Sequence, residues 1–324
     1  MNDTITKEEI ESKLAQNSGK LDLSGKGIKD MSGFEIFKGL DLKNLDVPFN
    51  QLTSLDVSGL TKLTTLHAYS NKQLTSLNVS GLTNLQYLYV SNTGLTSLDV
   101  RGLTNLTILY AHENSQLTSL DVSGLTKLTT LQAFSNKQLS SLNVSGLSAL
   151  QILGVDETGL TSLNVSGLTN LKTLSVNDNG LTSLDVSGLT NLQYLYVSNT
   201  GLTSLDVSSF SDLYELNVSN TGLTSLDVRG LSYLYELNVS NTGLTSLDVS
   251  GLTDLHYLYV SNTGLTSLDV SGLTKLIKLN VSNTGLTSLN VSGLTYLKYL
   301  YASPLTEADV TGFKRNQYYE TDIK

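Results

Sequence analysis

The chain has 324 residues, contains no cysteine and carries a formal net charge of −9 at pH 7. Without cysteine it can form neither a disulfide framework nor a thiolate metal site. The negative charge argues against nucleic acid as a partner, because nucleic-acid binding needs a basic face, and against binding to an anionic membrane surface. No apolar run is long enough for a transmembrane helix, so membrane insertion is not expected.

Residues 1–41 are predicted to form an N-terminal cap. Segment 6–16, TKEEIESKLAQ, places Ile10 and Leu14 four residues apart and acidic residues in the first turn. This pattern predicts a short amphipathic helix with Thr6 as its N-cap. The segment is charged and has no apolar stretch of the kind found in a signal peptide, so a signal peptide is not expected here.

A divergent first turn follows, KLDLSGKGIKDMSGFEIFKGL. It places Leu21, Leu23 and Ile28 at expected core positions, while Phe34 and Phe37 predict a second short helical piece. Such a cap is expected because the end of a repeat stack would otherwise expose its apolar core.

A leucine-rich unit of 21 or 22 residues, here called a coil, recurs through residues 42–313. The coils start at Leu42, Leu63, Leu85, Leu106, Leu128, Leu150, Leu171, Leu192, Leu213, Leu234, Leu255, Leu276 and Leu297. Counted from this leucine, apolar residues hold positions 1, 4, 6, 11, 14, 16 and 19. A period of this length predicts a leucine-rich repeat solenoid. We expect one elongated, mostly β domain, closed by segment 314–324.

The alternation within each coil predicts where its strands lie. Positions 4 and 6 alternate with positions 3, 5 and 7, and this segment is expected to form a short strand of a curved parallel sheet on the concave face. The second half, with the spacing L-T-S-L-D-V-S-G-L, has no room for a helix of ordinary length and predicts an extended segment or short strand on the convex face. Glycine at position 18, as in Gly59, predicts a tight bend, and glycine at position 10, as in Gly94, is expected to turn the chain out of the concave strand.

Three coils have 22 residues, and they share a second deviation. The coils that start at Leu63, Leu106 and Leu128 have alanine at position 6 and an aromatic ring or imidazole at position 7. The position 7 residues are Tyr69, His112 and Phe134. The extra residue is expected to bulge the turn and let the ring fold over the small alanine. Two interpretations stay open, a local packing variant and a functional subsite on that rim.

The repeat resembles a known family. The unit L-x-x-L-x-V-x-N-x-x-L-T-S-L-D-V-S, over residues 42–313, is similar to bacterial leucine-rich repeats of about 21 residues, and most of all to the internalin J type of surface internalins. That resemblance implies a protein or glycan recognition role, in a protein that is secreted or held at the cell surface. The family type has cysteine at position 6, whereas this chain has valine or alanine there.

Position 9 also departs from the family pattern, which favours asparagine. Five coils keep it, as Asn50, Asn71, Asn114, Asn136 and Asn179. Seven coils use threonine instead, as Thr93, Thr158, Thr200, Thr221, Thr242, Thr263 and Thr284. Threonine supplies a hydroxyl bond but lacks the amide that both donates and accepts, so it cannot bridge two coils in the same way.

Tyrosine collects on the predicted concave face and gives the candidate ligand-binding residues. They are Tyr87, Tyr89, Tyr110, Tyr194, Tyr196, Tyr214, Tyr235, Tyr257, Tyr259, Tyr299 and Tyr301. Rigid amphipathic rings beside small polar residues are typical of recognition surfaces. The rings could equally stabilise the sheet by packing on one another across strands, and the two roles are compatible.

The convex face carries a file of carboxylates and amides at position 15. Its aspartates are Asp56, Asp99, Asp121, Asp185, Asp206, Asp227, Asp248 and Asp269, and its asparagines are Asn78, Asn143, Asn164 and Asn290. The favoured interpretation is that these side chains accept hydrogen bonds from the local backbone or from position 17, as in Asx turns. Calcium bound between neighbours such as Asp206, Asp227, Asp248 and Asp269 is a second possibility.

No catalytic set is evident in the sequence, and no cofactor is expected. His67, His112 and His256 lie in different coils, too scattered for a metal site or a triad. Asp156 and Glu157 belong to a small acidic spot that is more typical of a solvated face. The glycines follow the coil period and form no phosphate-binding loop.

We therefore predict a non-enzymatic recognition or adhesion module, monomeric, which binds a protein or glycan on its tyrosine-rich concave face. A structural spacer or a designed repeat scaffold without a ligand is the first alternative. Ice binding through the threonine and serine files of the convex face is the second.

Overall fold

The structure, a computed structural model, describes residues 18–31 and 40–323. The chain divides into two compact units, unit 1 (Met1–Leu160) and unit 2 (Thr161–Lys324). The helix expected at 6–16 and the helical piece expected at Phe34 and Phe37 lie outside the described residues.

Unit 1 is built from three-residue parallel strands, one or two per coil. They are β1 (Lys20–Asp22), β2 (Asn44–Asp46), β3 (Ser54–Asp56), β4 (Thr65–His67), β5 (Ser76–Asn78), β6 (Tyr87–Tyr89), β7 (Ile108–Tyr110), β8 (Ser119–Asp121), β9 (Thr130–Gln132), β10 (Ser141–Asn143) and β11 (Ile152–Gly154). The sheet of this unit has the order β1-β2-β4-β6-β7-β9-β11. We call its solvent side the strand face.

Unit 2 repeats this arrangement and ends in short 3-10 helices. Its strands are β12 (Thr173–Ser175), β13 (Tyr194–Tyr196), β14 (Glu215–Asn217), β15 (Glu236–Asn238), β16 (Tyr257–Tyr259), β17 (Lys278–Asn280), β18 (Leu289–Asn290), β19 (Tyr299–Tyr301), β20 (Val310–Thr311) and β21 (Glu320–Thr321). The sheet order is β12-β13-β14-β15-β16-β17-β19-β21, and the helices span Glu307–Asp309 and Arg315–Gln317. Among the described residues, no helix combines the length and the hydropathy needed to cross a bilayer.

The core lies between the strand face and the opposite side of each coil, as the apolar spacing predicts. In the coil that starts at Leu85, all seven predicted core residues are at most 6% exposed: Leu85, Leu88, Val90, Leu95, Leu98, Val100 and Leu103. A central leucine points inward on each strand while its two neighbours are partly exposed. In the predicted cap turn, Leu21 is buried, whereas Leu23 and Ile28 are half-buried.

The second half of each coil takes both of the forms that its sequence allows. It forms the strand pairs β3–β5, β8–β10 and β18–β20 in some coils and remains extended without strand pairing in others. The position 15 file makes the predicted Asx turns. In unit 2, for example, the Ser208 and Ser250 amides donate to Asp206 and Asp248 at 2.9 Å. Hydrogen bonds from Ser208 lower the pKa of Asp206 below its usual range.

The turn that leaves each strand differs from the prediction. Position 8 adopts the left-handed region in twelve coils, with φ between 50° and 58°, as in Asn199 at 54°. Glycine at position 10 does not turn the chain, because the φ of Gly94 and Gly201 lies outside that region. Glycine is required there because the backbones of neighbouring coils approach each other closely: a Cβ on Gly94 would lie 2.9 Å from the Lys72 carbonyl oxygen. The position 18 bend is confirmed, with Gly188 at φ 84°.

Position 9 differs between coils as its chemistry predicts. The buried Asn114 amide donates to the Val90 and Ala111 carbonyls, at 3.1 and 2.8 Å, and its oxygen accepts the Thr93 amide of the preceding coil at 2.9 Å. A threonine that follows another threonine coil bonds within its own coil; the Thr221 hydroxyl, for example, donates to the Val218 carbonyl at 2.7 Å. Asparagine therefore ties neighbouring coils together, while threonine closes the turn of one coil.

The C-terminal residues add one more strand to unit 2. Strand β21 pairs in parallel with β19, and Tyr319 packs edge-on against Tyr299 at 6.0 Å. The Asp322 carboxylate accepts the Ala302 and Ser303 amides at 2.6 and 3.2 Å. This carboxylate satisfies backbone donors at the end of the last repeat coil, which fits the closing role expected for residues 314–324.

Candidate functional site

The predicted tyrosines all lie on or beside strands of the strand face. Nine are members of strands, and Tyr214 and Tyr235 lie one residue before β14 and β15. Ten of the eleven are half-buried, and Tyr214 is 37% exposed. Three of them belong to unit 1 and eight to unit 2, so each unit is described by itself.

In unit 2, strand register places two glutamates between tyrosine pairs. Tyr194 pairs with Glu215, Glu215 with Glu236, and Glu236 with Tyr257. Two residues further along the same strands, Tyr196 and Tyr259 flank Asn217 and Asn238 in the same way. We call this surface the tyrosine–glutamate face; its defining residues are Tyr194, Tyr196, Glu215, Glu236, Tyr257 and Tyr259.

The carboxylates of this face differ in their partners. The Tyr196 hydroxyl donates a short hydrogen bond to Glu215, while Glu236 makes neither a hydrogen bond nor an ion pair with the described residues. Burial and the neighbouring charge of Glu215 raise the pKa of Glu236. Burial also raises the pKa of Tyr259 to about 12 and the pKa of Tyr196 above its usual range, so both hydroxyls stay protonated at neutral pH.

Next to this face, aromatic rings stack along the position 2 file. Tyr214 and Tyr235 are parallel with centroids 4.8 Å apart, and Tyr235 stacks on His256 at 4.3 Å. These contacts show that cross-strand packing of rings does stabilise the sheet, at a typical gain of about 0.5–1.5 kcal/mol per pair. An open hollow of about 430 Å³ lies beside the stack, lined by Gln193, Tyr194, Asp212, Tyr214 and Tyr233.

Beyond the tyrosine–glutamate face, a lysine occupies the space between two rings. Lys278 Nζ lies 5.2 Å from the Tyr259 ring centroid and 5.4 Å from that of Tyr301, which is cation–π geometry. Position 3 of the strand face therefore already holds one cation between tyrosines within the chain itself. The charge of Lys278 also acts on Glu236, although the two side chains form no ion pair.

In unit 1, an open groove of about 590 Å³ runs along the ends of three strands, and we call it the rim groove. It is lined by positions 5, 7 and 8 of the coils that start at Leu63, Leu85 and Leu106. The lining residues are His67, Tyr69, Ser70, Tyr89, Ser91, Asn92, Tyr110, His112 and Glu113. Rings therefore surround the small side chain at position 7 of the middle coil.

The imidazoles at the two sides of the rim groove are held differently. His67 Nδ1 lies 2.5 Å from Asp46 Oδ1, and Lys20 Nζ lies 2.7 Å from the other oxygen of this nearly buried carboxylate. The His112 ring stacks on Phe134 at 4.2 Å with planes 8° apart, so one of its faces is covered. Burial lowers the pKa of His112, which favours the neutral imidazole.

The three histidines singled out in the sequence lie on or beside these surfaces. Within residues 18–31 and 40–323, no group of three or more His, Cys, Asp or Glu side chains is placed to hold a metal ion. His67 and His112 do share the rim groove, although the sequence had suggested no common role for them. His256 belongs to the ring stack of unit 2.

Comparison with known proteins defines the family. A family model of leucine-rich repeats in two copies matches residues 83–127 and 169–211. The functional domain of InlJ from Listeria monocytogenes, which includes a cysteine ladder, is 35% identical; the match covers 90% of this chain and 69% of that chain with a TM-score of 0.81. The chain belongs to the internalin-like leucine-rich repeat proteins. No curated protein sequence matches it.

Two further solved structures are similar to this internalin-like chain. The internalin InlF from Listeria monocytogenes is 25% identical over 99% of this chain and 89% of that chain, with a TM-score of 0.69. The plant peptide hormone receptor RGFR1, solved in complex with RGF2, is 20% identical over 87% of this chain and 54% of that chain, with a TM-score of 0.66, and shows the fold alone. This internalin-like chain has no cysteine, so the ladder position is apolar throughout.

Sequence analysis left open a functional subsite on this rim, at the coils with Tyr69 and His112, but did not include the coil of Ser91 between them. The available signal was alanine at position 6 with a ring at position 7, which occurs on both sides of the coil that has Ser91 at position 7. That contrast between neighbouring coils predicts a notch, but the unpaired state of the side chains within it depends on their conformations.

Proposed function

We propose that this internalin-like chain is a non-enzymatic recognition module that binds a protein partner through the tyrosine–glutamate face of unit 2. Leucine-rich repeat proteins commonly mediate recognition, and the similar receptor RGFR1 was solved in complex with RGF2. The observation that carries the proposal is the pair of glutamates between two tyrosine pairs, in register on consecutive strands.

The spacing of this face suits a basic side chain of a protein partner. Neighbouring strands are about 4.8 Å apart, so the two tyrosine pairs, three strands apart, are separated by roughly 14 Å. Between them, Glu215 and Glu236 supply carboxylates, and Asn217 and Asn238 supply amides. Arginine or lysine would find a carboxylate partner and flanking rings at once, a combination that favours charge-assisted hydrogen bonds and cation–π contact.

Glu236 supports this proposal because its ionised carboxylate destabilises the protein when no partner is bound. Its pKa is raised, so ionising it at neutral pH opposes folding. Perturbed, unpaired acids of this kind collect at functional sites, where a partner supplies the missing charge. The chain already places Lys278 between two tyrosines on the same face, which is the arrangement we assign to a partner's cation.

We also propose an adhesion role at a bacterial cell surface, which the similarity to the internalins supports. Rigid strands hold the rings in place before binding, so little ordering entropy is lost on association. Under this proposal the partner is a protein outside the cell that presents an exposed basic residue.

The test is a binding screen of the intact chain against an array of extracellular protein domains, followed by variants. Tyr194→Ala with Tyr196→Ala, and separately Glu236→Gln, should each weaken a specific partner by about 30-fold or more, as expected for hot-spot residues. The matched control is Tyr296→Ala, a tyrosine that is 65% exposed and lies outside both the strand face and the hollow beside Tyr194. The control should bind as the parent does.

Two results would contradict the proposal. One is a partner whose affinity is unchanged in both strand-face variants while circular dichroism shows an intact fold. The other is a partner that binds with no loss between about 50 and 500 mM salt, because a carboxylate–cation contact must weaken with ionic strength. No partner at all would favour the spacer interpretation.

A further inference from the structure

The rim groove of unit 1 contains a buried hydroxyl without a hydrogen-bond partner. Ser91 is only 6% exposed, and its Oγ makes no hydrogen bond within the part of the chain that the structure describes. More than nine in ten buried polar groups in proteins are paired, so an unpaired hydroxyl that lines a groove requires an explanation. His112 Nδ1, in the same groove, is also buried without a hydrogen bond and lies 3.6 Å from Glu113.

The equivalent serines of unit 2 show that this state is specific to the groove. At position 7, Ser219 Oγ donates to Asn217 Oδ1 at 2.7 Å, and Ser198 Oγ donates to Asn177 Oδ1 at 2.7 Å. In unit 1 both corresponding neighbours are rings, because Tyr89 holds position 5 of the coil that contains Ser91 and Tyr69 holds position 7 of the preceding coil. Ser91 therefore lacks a partner because aromatic residues replaced the amides that would have supplied one.

The walls of the groove offer ring surfaces at a defined spacing. Tyr69 and His112 hold position 7 on either side of Ser91, two coils apart, which is roughly 10 Å at a strand spacing of ~4.8 Å. Phe134 covers one face of the His112 ring, and the opposite face lies on the side of the preceding coil, where Ser91 is. A ligand ring stacked on an aromatic face lies about 4 Å from it. The space between Tyr69 and His112 therefore accommodates one ring of a ligand.

The polar groups of the groove disfavour anions and quaternary ammonium ions. Asp46 is already paired with Lys20 and His67, and Glu113 is the remaining carboxylate of the lining. An anion would be repelled by Glu113 and by the net charge of −9. A quaternary ammonium would find rings and one carboxylate but would leave the buried hydroxyl and the imidazole nitrogen unused, because it has no hydrogen-bonding group.

We propose that the rim groove binds a neutral saccharide of about two sugar rings, with one sugar face stacked on His112 and one sugar hydroxyl bonded to Ser91 Oγ after this buried hydroxyl rotates about χ1 towards the groove. A sugar combines an apolar ring face with hydroxyls that both donate and accept, which is the combination that the groove presents. The volume of about 590 Å³ is within the range of small-molecule sites. This site goes beyond the proposed protein recognition, because no residue of the tyrosine–glutamate face takes part in it.

The test uses the full chain and free neutral disaccharides, namely maltose, lactose, cellobiose and mannobiose, by calorimetry and saturation-transfer NMR. We expect at least one to bind with a Kd of roughly 0.1–1 mM. Ser91→Ala should weaken it about five- to ten-fold, the loss expected for one hydrogen bond, and His112→Ala should abolish it. Ser91→Ala removes only an unbonded hydroxyl, so its melting temperature should match that of the parent.

The matched control is Ser219→Ala, at the same coil position in unit 2, which should leave saccharide affinity unchanged. The double variant Tyr194→Ala with Tyr196→Ala should also keep it, which separates this site from the protein-binding face. The proposal is overturned if no disaccharide binds at about 10 mM, if sialyllactose or choline binds in preference, or if Ser91→Ala and Ser219→Ala have the same affinity.

Discussion

Replacing Asn114 by alanine tests whether the buried amide ties neighbouring coils together. The side chain is fully buried and makes four hydrogen bonds with the preceding coil and its own. Without it the Thr93 amide loses its acceptor, while the Val90 carbonyl keeps the Thr93 hydroxyl at 3.4 Å and the Ala111 carbonyl keeps the Asn136 amide at 2.9 Å. Two acceptors therefore stay satisfied, and one donor does not.

The magnitude follows from this count. An unsatisfied buried donor costs about 1–3 kcal/mol, and each further hydrogen bond lost costs about 0.5–1.5 kcal/mol, so the free energy of unfolding should fall by about 3 kcal/mol. The control is Thr221→Ala, the same position in a threonine coil. Its hydroxyl makes one bond within its own coil, so that change should cost only about 1 kcal/mol.

Urea unfolding followed by circular dichroism measures both costs, and hydrogen exchange of the Thr93 amide reports the local effect. In the Asn114→Ala variant this amide should exchange faster than its neighbours in the same coil, because it has lost its partner. Costs that agree within about 0.5 kcal/mol for the two variants, or an unchanged Thr93 exchange rate, would show that the amide does not bridge coils as described.

Three further predictions concern the free energy of unfolding. Glu236→Gln should raise the free energy of unfolding at pH 7, because the pKa of Glu236 is raised in the folded state and its ionised form opposes folding. In melting curves the gain should vanish below the pKa that this carboxyl has in the unfolded chain, and a gain that grows on acidification would contradict the prediction. Glu157→Asn should raise the free energy of unfolding by about 0.5–1 kcal/mol in urea titrations, because Glu157 has φ 50° and asparagine tolerates that region better; a loss would refute the reasoning. Gly94→Ala should lower the melting temperature, because a Cβ on Gly94 would lie 2.9 Å from the Lys72 carbonyl oxygen, whereas nothing lies within 4 Å of a Cβ on Gly102, where alanine is strained only by the positive φ of 83°. Gly94→Ala should therefore shift backbone amide signals of the preceding coil; an unchanged spectrum there would argue against the contact.

Several elements of the fold were predictable because they depend on local pattern. The alternation in each coil places Leu88 inward and Tyr87 and Tyr89 outward, since successive side chains of a strand point to opposite faces. The Asx turns at position 15 were predictable for the same reason, because the acceptor and donor lie two residues apart. The left-handed residue at position 8 was missed because its type varies from asparagine to glutamate and phenylalanine, and only the geometry of the turn requires it.

The candidate sites were predictable only in part. Tyrosines were expected on the strand face, and Glu215 and Glu236 were visible beside them, because equal coil lengths put equal positions next to each other. The state of each group was not visible. Glu215 receives the Tyr196 hydroxyl and Glu236 does not, and that difference depends on side-chain conformations rather than on spacing.

The coil period, the buried positions, the parallel strands and the face on which tyrosine collects could all be inferred from the amino-acid sequence. These follow from residues that are neighbours along the chain, or that become neighbours once a constant period stacks one coil on the next. Which polar groups find partners depends on contacts between side chains of neighbouring coils in the folded protein. Ser91 and Ser198 both follow a tyrosine by two residues, yet the Ser198 hydroxyl bonds Asn177 of the preceding coil, whereas Ser91 has Tyr69 at that place and stays unpaired.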